Sequence, residues 1–234
     1  MSRTCGKYLP PGARMNTLYY RACVGIGKFL FWNCVRLHLI RPEISHRDGP
    51  YILALTHLGN VDPFCSSVLV PRHIRWMARK EFFQFKPFAW FLNKVGAFSV
   101  NRQGIPVSSI RRAIELAKDG NVVGICPEGG RAMGKDAAFR GGRIKKGVCS
   151  VAIRSGAPVV PCVMLGTPEM NRVGPWLPAK RAKLWVAYGE PLTPPPGKST
   201  KAKREALRDQ ISAAYIRLYE ELRLKFGVED AAVP

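Results

Sequence analysis

A histidine and an aspartate five residues apart, His57 and Asp62 in Thr56-His57-Leu58-Gly59-Asn60-Val61-Asp62-Pro63, have the types and spacing for proton chemistry. A carboxylate that accepts the N–H of one imidazole nitrogen fixes the tautomer and leaves the other nitrogen as a base. On one continuous helix, positions five apart point about 140° away from each other, so this pair can meet only across a turn. Gly59-Asn60 supplies the turn, and Asp62-Pro63 reads as the opening of a helix with Pro at its first position. Ahead of the pair, residues 51–56 are an apolar run opened by Gly49-Pro50, which reads as a short buried strand ending at His57. Open α/β sheets place their chemistry at such strand ends. The spacing alone is weak, because a loop histidine beside an aspartate at a helix N-terminus has the same pattern.

The rest of the chain must build a sheet that holds this turn. Apolar runs at 74–78, 122–126, 157–165 and 183–188 predict four further strands. In the last of them Leu184, Val186 and Tyr188 share one face, and Trp185 and Ala187 the other. Residues 107–118 predict a helix with Ser108 or Ser109 as cap, a face of Ile110, Ala113, Ile114 and Ala117, and Gly120 at its end. A short helix over 146–155 closes at Gly156. Residues 201–226 carry Leu207, Ile211, Tyr215, Leu218 and Leu222 on one stripe and predict an amphipathic lid on the sheet. Pro161 predicts an edge position or a bulge for its strand. Residues 132–146, rich in Gly, Lys and Arg, read as a mobile surface loop. Alternating strand and helix signals argue for one α/β domain, with a mixed, mostly parallel sheet flanked by helices.

Lys plus Arg number 37 against 16 acidic residues in 234, a formal charge of +21. Such a surface attracts polyanions: nucleic acid, anionic lipid or phosphorylated substrates. Seven scattered cysteines form no C-x-x-C, which argues against a disulfide framework or zinc site and for a reducing cytoplasm. Residues 1–15 read as a basic arm. Residues 16–40 are apolar and aromatic, but Arg21, Lys28 and Arg36 interrupt them, and the uncharged runs fall short of the roughly 20 residues that span a bilayer. They are either a helix packed on the domain or an interfacial helix with Tyr19, Tyr20, Phe29, Phe31 and Trp32 at the headgroups. The expected division is an N-terminal segment over 1–45 and a catalytic domain over 46–234. Seven aromatic residues crowd 81–98, enough to line an apolar groove or touch a membrane as well as form core.

Three further stretches stand beside the His57–Asp62 turn: Gly96-Ala97-Phe98-Ser99-Val100-Asn101-Arg102, Cys126-Pro127-Glu128-Gly129-Gly130-Arg131 and Ala157-Pro158-Val159-Val160-Pro161. In this order and at these separations the four resemble the glycerolipid acyltransferase family that includes 1-acylglycerol-3-phosphate acyltransferases. That family's blocks read N-H-x-x-x-x-D, G-x-x-F-x-x-R, F-P-E-G-x-R-S and V-P-V-x. The resemblance covers roughly residues 50 to 165. Thr56 stands where the family often has Asn, Cys126 replaces Phe and Ala132 replaces Ser, and none of these removes an ionisable group.

The resemblance implies transfer of a fatty acyl group from a thioester to the hydroxyl of a lysophospholipid, with 1-acylglycerol-3-phosphate the foremost acceptor. The residues suit that reaction. His57 can take the hydroxyl proton as the oxygen attacks, with Asp62 holding the imidazolium. Arg102 and Arg131 offer forked donors for a phosphate. Gly129 lets the backbone approach a ligand closely. Glu128 can hold Arg131 or accept from an acceptor hydroxyl, and Lys80 matches a basic position in the family. No Ser or Cys is placed as a nucleophile beside His57, so direct transfer without an acyl-enzyme is expected. Acyl-CoA or acyl-carrier protein would be the donor, with no metal and no other cofactor. The expected location is the cytoplasmic face of an anionic membrane, peripheral or monotopic. A different acceptor, such as a lyso-aminolipid, stays open. A nucleic-acid-binding protein fits the charge but lacks a recognition motif or regularly spaced stacking aromatics.

Overall fold

Seven strands form one twisted sheet in the order β1-β7-β6-β2-β5-β3-β4 in a computed structural model, which describes residues 17–100, 107–170 and 182–228. The strands are β1 (Val35–Ile40), β2 (Tyr51–Leu55), β3 (Ile74–Arg79), β4 (Phe98–Val100), β5 (Val122–Ile125), β6 (Val159–Leu165) and β7 (Ala182–Tyr188). Every neighbouring pair is parallel except β6 and β7. The helices are α1 (Thr17–Cys34), α2 (Asp62–Leu69), α3 (Lys86–Lys94), α4 (Val107–Lys118), α5 (Gly147–Ser155), the single turn α6 (Thr167–Met170) and α7 (Lys201–Phe226).

Alternate residues of the central strands feed two cores. On one face Ile52, Ala54, Val123 and Val163 pack with Ala113 and Leu116 of α4, Val148 and Ile153 of α5, and Leu207, Ile211 and Leu218 of α7. On the other, Leu53, Leu55, Val160 and Met164 pack with Phe31 of α1 and Cys65 and Val68 of α2. The faces expected for β7 hold: Trp185 and Ala187 join the first core, Leu184, Val186 and Tyr188 the second. Helix α7 runs over the residues expected, with the Thr200 hydroxyl accepting from the Lys203 N–H as its N-cap and its predicted stripe buried.

Three expectations meet a different structure, and of the two alternatives for Pro161 the bulge is the one realised. Residues 35–40 are not helical: Val35–Ile40 pairs with β7 as an edge strand of the sheet, so a boundary at residue 45 cuts through the fold. The 16–40 segment is apolar along its whole length, and periodicity alone does not separate a helix from a buried strand there. The structure also adds β4, too short to register in the sequence. Pro161 lies in an interior strand, between β2 and β7. It is tolerated because the register with the β7 side slips by one residue beside it, between Cys162↔Tyr188 and Val159↔Leu192, so a bulge absorbs the missing donor. Finally, residues 132–146 are not a loose loop. Two 3-10 turns, Gly134–Asp136 and Ala138–Arg140, fold them onto the domain and bury Ala137, Ala138, Phe139 and Ile144. Phe139 packs against the ring of Tyr219 in α7 at 4.7 Å.

Candidate active site

Strands β2 and β5 are parallel neighbours with Ala54 opposite Ile125, so their C-terminal ends emerge side by side. This register brings His57 next to Cys126-Pro-Glu-Gly-Gly-Arg131 across 71 residues of sequence. The turn after β2 folds back as its residues require. The Leu58 and Gly59 main-chain N–H groups donate to Asp62 Oδ2 at 2.8 and 2.9 Å, and His57 Nδ1 lies 2.9 Å from the same oxygen. A carboxylate only accepts, so Nδ1 carries a proton, and in the neutral ring Nε2 is the nitrogen with the lone pair. Asp62 is wholly buried, while the His57 side chain keeps 16 % exposure and lines a cavity. Gly59 is required here by crowding: a Cβ would stand 2.8 Å from Thr167 Oγ1 and 3.0 Å from the Thr167 main chain.

The cavity has a volume of about 910 Å3. It is lined by His57, Arg131 and Lys145, by Trp76 of β3, Phe64 of α2 and Phe88 and Leu92 of α3, and by Tyr20, Cys23 and Val24 of α1. The aromatic stretch at 81–98 therefore serves three ends. Phe83 and Leu92 form a small core with Ala97, Phe82, Phe88 and Phe91 line the cavity, and Phe85 and Trp90 face outward.

The loop after β5 is pinned to the His57 turn. Ala132 N–H donates to the His57 carbonyl at 2.9 Å, and Lys145 N–H to the Pro127 carbonyl at 2.7 Å. Glu128 does not hold Arg131 and is not part of the cavity wall. One of its oxygens accepts the His57 N–H at 2.6 Å and the other the Ala138 N–H at 2.9 Å. Both oxygens accept from main-chain donors. Burial pushes its carboxyl up to about 7, and the Ala138 and His57 N–H groups pull it back.

Gly129 adopts φ +77°, where only glycine is unstrained, and a Cβ there would collide with Cε and Nζ of Lys145. The close approach at this glycine is thus made by a lysine stem. Arg131 lines the cavity; Lys80 is not among the lining residues, whereas Arg79 beside it is. Arg102 lies outside the described residues. Cys65 sits inside α2, its thiol pushed up to about 12 chiefly by burial, which makes it a poor nucleophile.

A family model described as Acyltransferase matches residues 36–165, which is the stretch from β1 through β6. A 1-acyl-sn-glycerol-3-phosphate acyltransferase of Bacillus subtilis (strain 168) is 34 % identical over 174 residues, covering 74 % of this chain and 82 % of that one. The chain belongs to the acyltransferase family. A relative of the same name from Streptococcus pneumoniae is 23 % identical over 185 residues, 77 % of this chain and 65 % of its own. The crystal structure of the 1-acyl-sn-glycerophosphate acyltransferase PlsC from Thermotoga maritima has the same fold. Its TM-score is 0.68 at 22 % identity, over 87 % of this chain and 79 % of that one.

In this acyltransferase, sequence reasoning missed Lys145, because it lies in what read as a surface loop. The signal available was its pairing with Gly129, which only the fold reveals. Arg79 was passed over for its neighbour Lys80. The aromatic crowding at 81–98 was the one sequence trace of the cavity wall.

Proposed function

We propose that this acyltransferase moves a fatty acyl group from a thioester donor to the free hydroxyl of 1-acyl-sn-glycerol 3-phosphate or a close lysophospholipid. The observation that carries this reading is the His57–Asp62 pair, with His57 on the wall of a largely apolar cavity that Arg131 and Lys145 also line. His57 Nε2 takes the proton of the acceptor hydroxyl as its oxygen attacks the thioester carbonyl. The tetrahedral intermediate collapses, the carbon–sulfur bond breaks, and the imidazolium returns its proton to the leaving thiolate. Ester and free thiol result, and His57 ends as it began. The 910 Å3 cavity suits an acyl chain, since its walls are mostly aromatic and aliphatic. Acyl-CoA and acyl-carrier protein both supply the donor chemistry. The test is incubation with acyl-CoA and a panel of lyso-lipids, with products identified by mass. Phosphatidate formation is the expected result, and acylation of a phosphate-free lyso-aminolipid alone would overturn the acceptor. Intact-protein mass during turnover should show no acyl adduct, and an adduct on Cys126, which also lines the cavity, would replace direct transfer by a two-step route.

Arg131 and Lys145 are proposed to hold the acceptor phosphate, with Arg102, two positions past β4 in the sequence, as a third cation. Arg131→Ala and Lys145→Ala should each raise the KM for the phosphorylated acceptor about tenfold or more, leaving that for the donor nearly unchanged, since a charge-assisted bond contributes roughly 1.5–3 kcal/mol. Equal effects on both substrates would mean that these residues serve the fold.

We further propose a peripheral seat on an anionic membrane through α1. Among the described residues no helix is long and apolar enough to cross a membrane. Helix α1 instead has two apolar sides. Tyr20, Gly27 and Phe31 are buried against the domain, while Leu18, Ile26, Phe29 and Trp32 are 78, 63, 71 and 80 % exposed. Arg21 and Lys28 are exposed on the same helix. Such a helix lies in the interface with its apolar side in the acyl boundary. Phe29→Ser with Trp32→Ser removes outward-facing groups and leaves the buried stripe intact. The wild type should stay partly bound to phosphatidylglycerol vesicles in high salt, which screens only the charge attraction, and the double variant should be released. A double variant that still sediments would shift the anchor to Phe85 and Trp90.

A further inference from the structure

We infer that Glu128 is a positioning residue that sets the His57 main chain, and that it makes no contact with the acceptor. The inference rests on His57 being the base of the proposed reaction. Its ground is the geometry behind the cavity wall. Cys126, Pro127, Gly129, Gly130 and Arg131 line the cavity, and Glu128 between them does not. Its side chain turns inward, where one carboxylate oxygen takes the His57 N–H at 2.6 Å and the other the Ala138 N–H at 2.9 Å. The first bond is short for N–H···O, as charge-assisted bonds are. From the other side the Ala132 N–H holds the His57 carbonyl at 2.9 Å. His57 is therefore gripped at both main-chain polar groups by the segment that follows β5, while Asp62 holds its ring.

The grip has a rigid anchor. Ala138 opens the 3-10 turn Ala138–Arg140, and Ala138 and Phe139 are buried against the α7 face of the core. Glu128 thus ties the base to a packed segment on a different part of the chain. A substrate contact would need a carboxylate lone pair directed into the cavity, and Glu128 is not on the cavity wall. Two main-chain N–H groups also set a chemical requirement: the side chain must accept at both ends. A glutamine accepts at one end only, and its NH2 would oppose an N–H at the other.

The test separates positioning from binding. Glu128→Gln should fold, with a thermal midpoint within several degrees of the wild type. Its kcat should fall by about 10- to 100-fold, the scale of a base displaced by up to an ångström. Its KM for lysophosphatidate should change less than about twofold. Binding is read separately in the inactive His57→Ala background, where a short-chain lysophosphatidate titrated into His57→Ala and into His57→Ala with Glu128→Gln should give the same Kd. A Kd or KM weakened tenfold with kcat intact would overturn the inference and make Glu128 an acceptor ligand. If Glu128→Gln does not fold, Glu128→Asp keeps the charge but is too short to reach both N–H groups. The same kcat loss with unchanged KM is expected of it, and wild-type kcat there would overturn the inference. If His57→Ala alone keeps full turnover, the proposed mechanism has failed, and that outcome is distinct from the failure of the Glu128 assignment.

Discussion

His57→Ala should lower kcat by about 10^2- to 10^4-fold, the usual contribution of a positioned general base. That is roughly 3 to 5 kcal/mol of transition-state stabilisation. Stability should change little, and the structure gives the reason. The bonds that tie this position to its surroundings, His57 N–H to Glu128 and Ala132 N–H to the His57 carbonyl, are main-chain bonds that alanine keeps. The buried Asp62 oxygen that loses the imidazole still accepts from Leu58 and Gly59. No charge is orphaned, so the circular-dichroism melt should overlay that of the wild type within a few degrees. Turnover near the wild-type value in a folded His57→Ala protein would remove His57 as the base.

Asp62→Asn should be as severe in kcat and, unlike the histidine change, should also destabilise the fold. Three N–H groups converge on Asp62 Oδ2, and its Oδ1 is buried without a partner among the described residues. An asparagine has two choices there. Keeping its oxygen toward the three donors leaves a buried NH2 unsatisfied and no charge to stabilise an imidazolium. Turning the NH2 toward the donors repels them and forces the imidazole into the other tautomer, which loses the base. In a serine-protease triad the corresponding change costs about 10^4 in kcat, and a loss on the order of 10^3 to 10^4 is expected here. The unsatisfied group should cost roughly 1–3 kcal/mol, read as a lower denaturant midpoint. A variant with lowered kcat and unchanged stability would mean the turn does not depend on these bonds, and one with near-normal kcat would mean the imidazole needs no partner.

The local chemistry of the site was written in the sequence. A histidine, a Gly-Asn turn and an Asp-Pro helix start within eight residues leave few ways for the chain to fold, because each step is a short-range constraint of sterics and hydrogen bonding. The buried stripe of α7 and the alternating faces of β7 were legible for the same reason: periodicity records which side is covered. For residues 16–40 the sequence left two readings, a helix packed on the domain and an interfacial helix, and α1 packs Tyr20 and Phe31 against the domain. The exposed Phe29 and Trp32 leave an outward apolar side that the packing does not use.

Tertiary structure decided what lies far apart in sequence. The meeting of His57 with Glu128 depends on β2 and β5 being parallel neighbours in a specific register, and no local signal encodes which strands pair. The same holds for Val35–Ile40, an edge strand because β7 offers it an open partner. Residues 132–146 looked polar and loose because glycine and basic residues dominate the count. Their few apolar groups, Ala137, Ala138, Phe139 and Ile144, are the ones that reach the core. Composition averages over a segment, whereas packing selects individual side chains. That selection turns Glu128 away from the cavity and brings Lys145 to its wall.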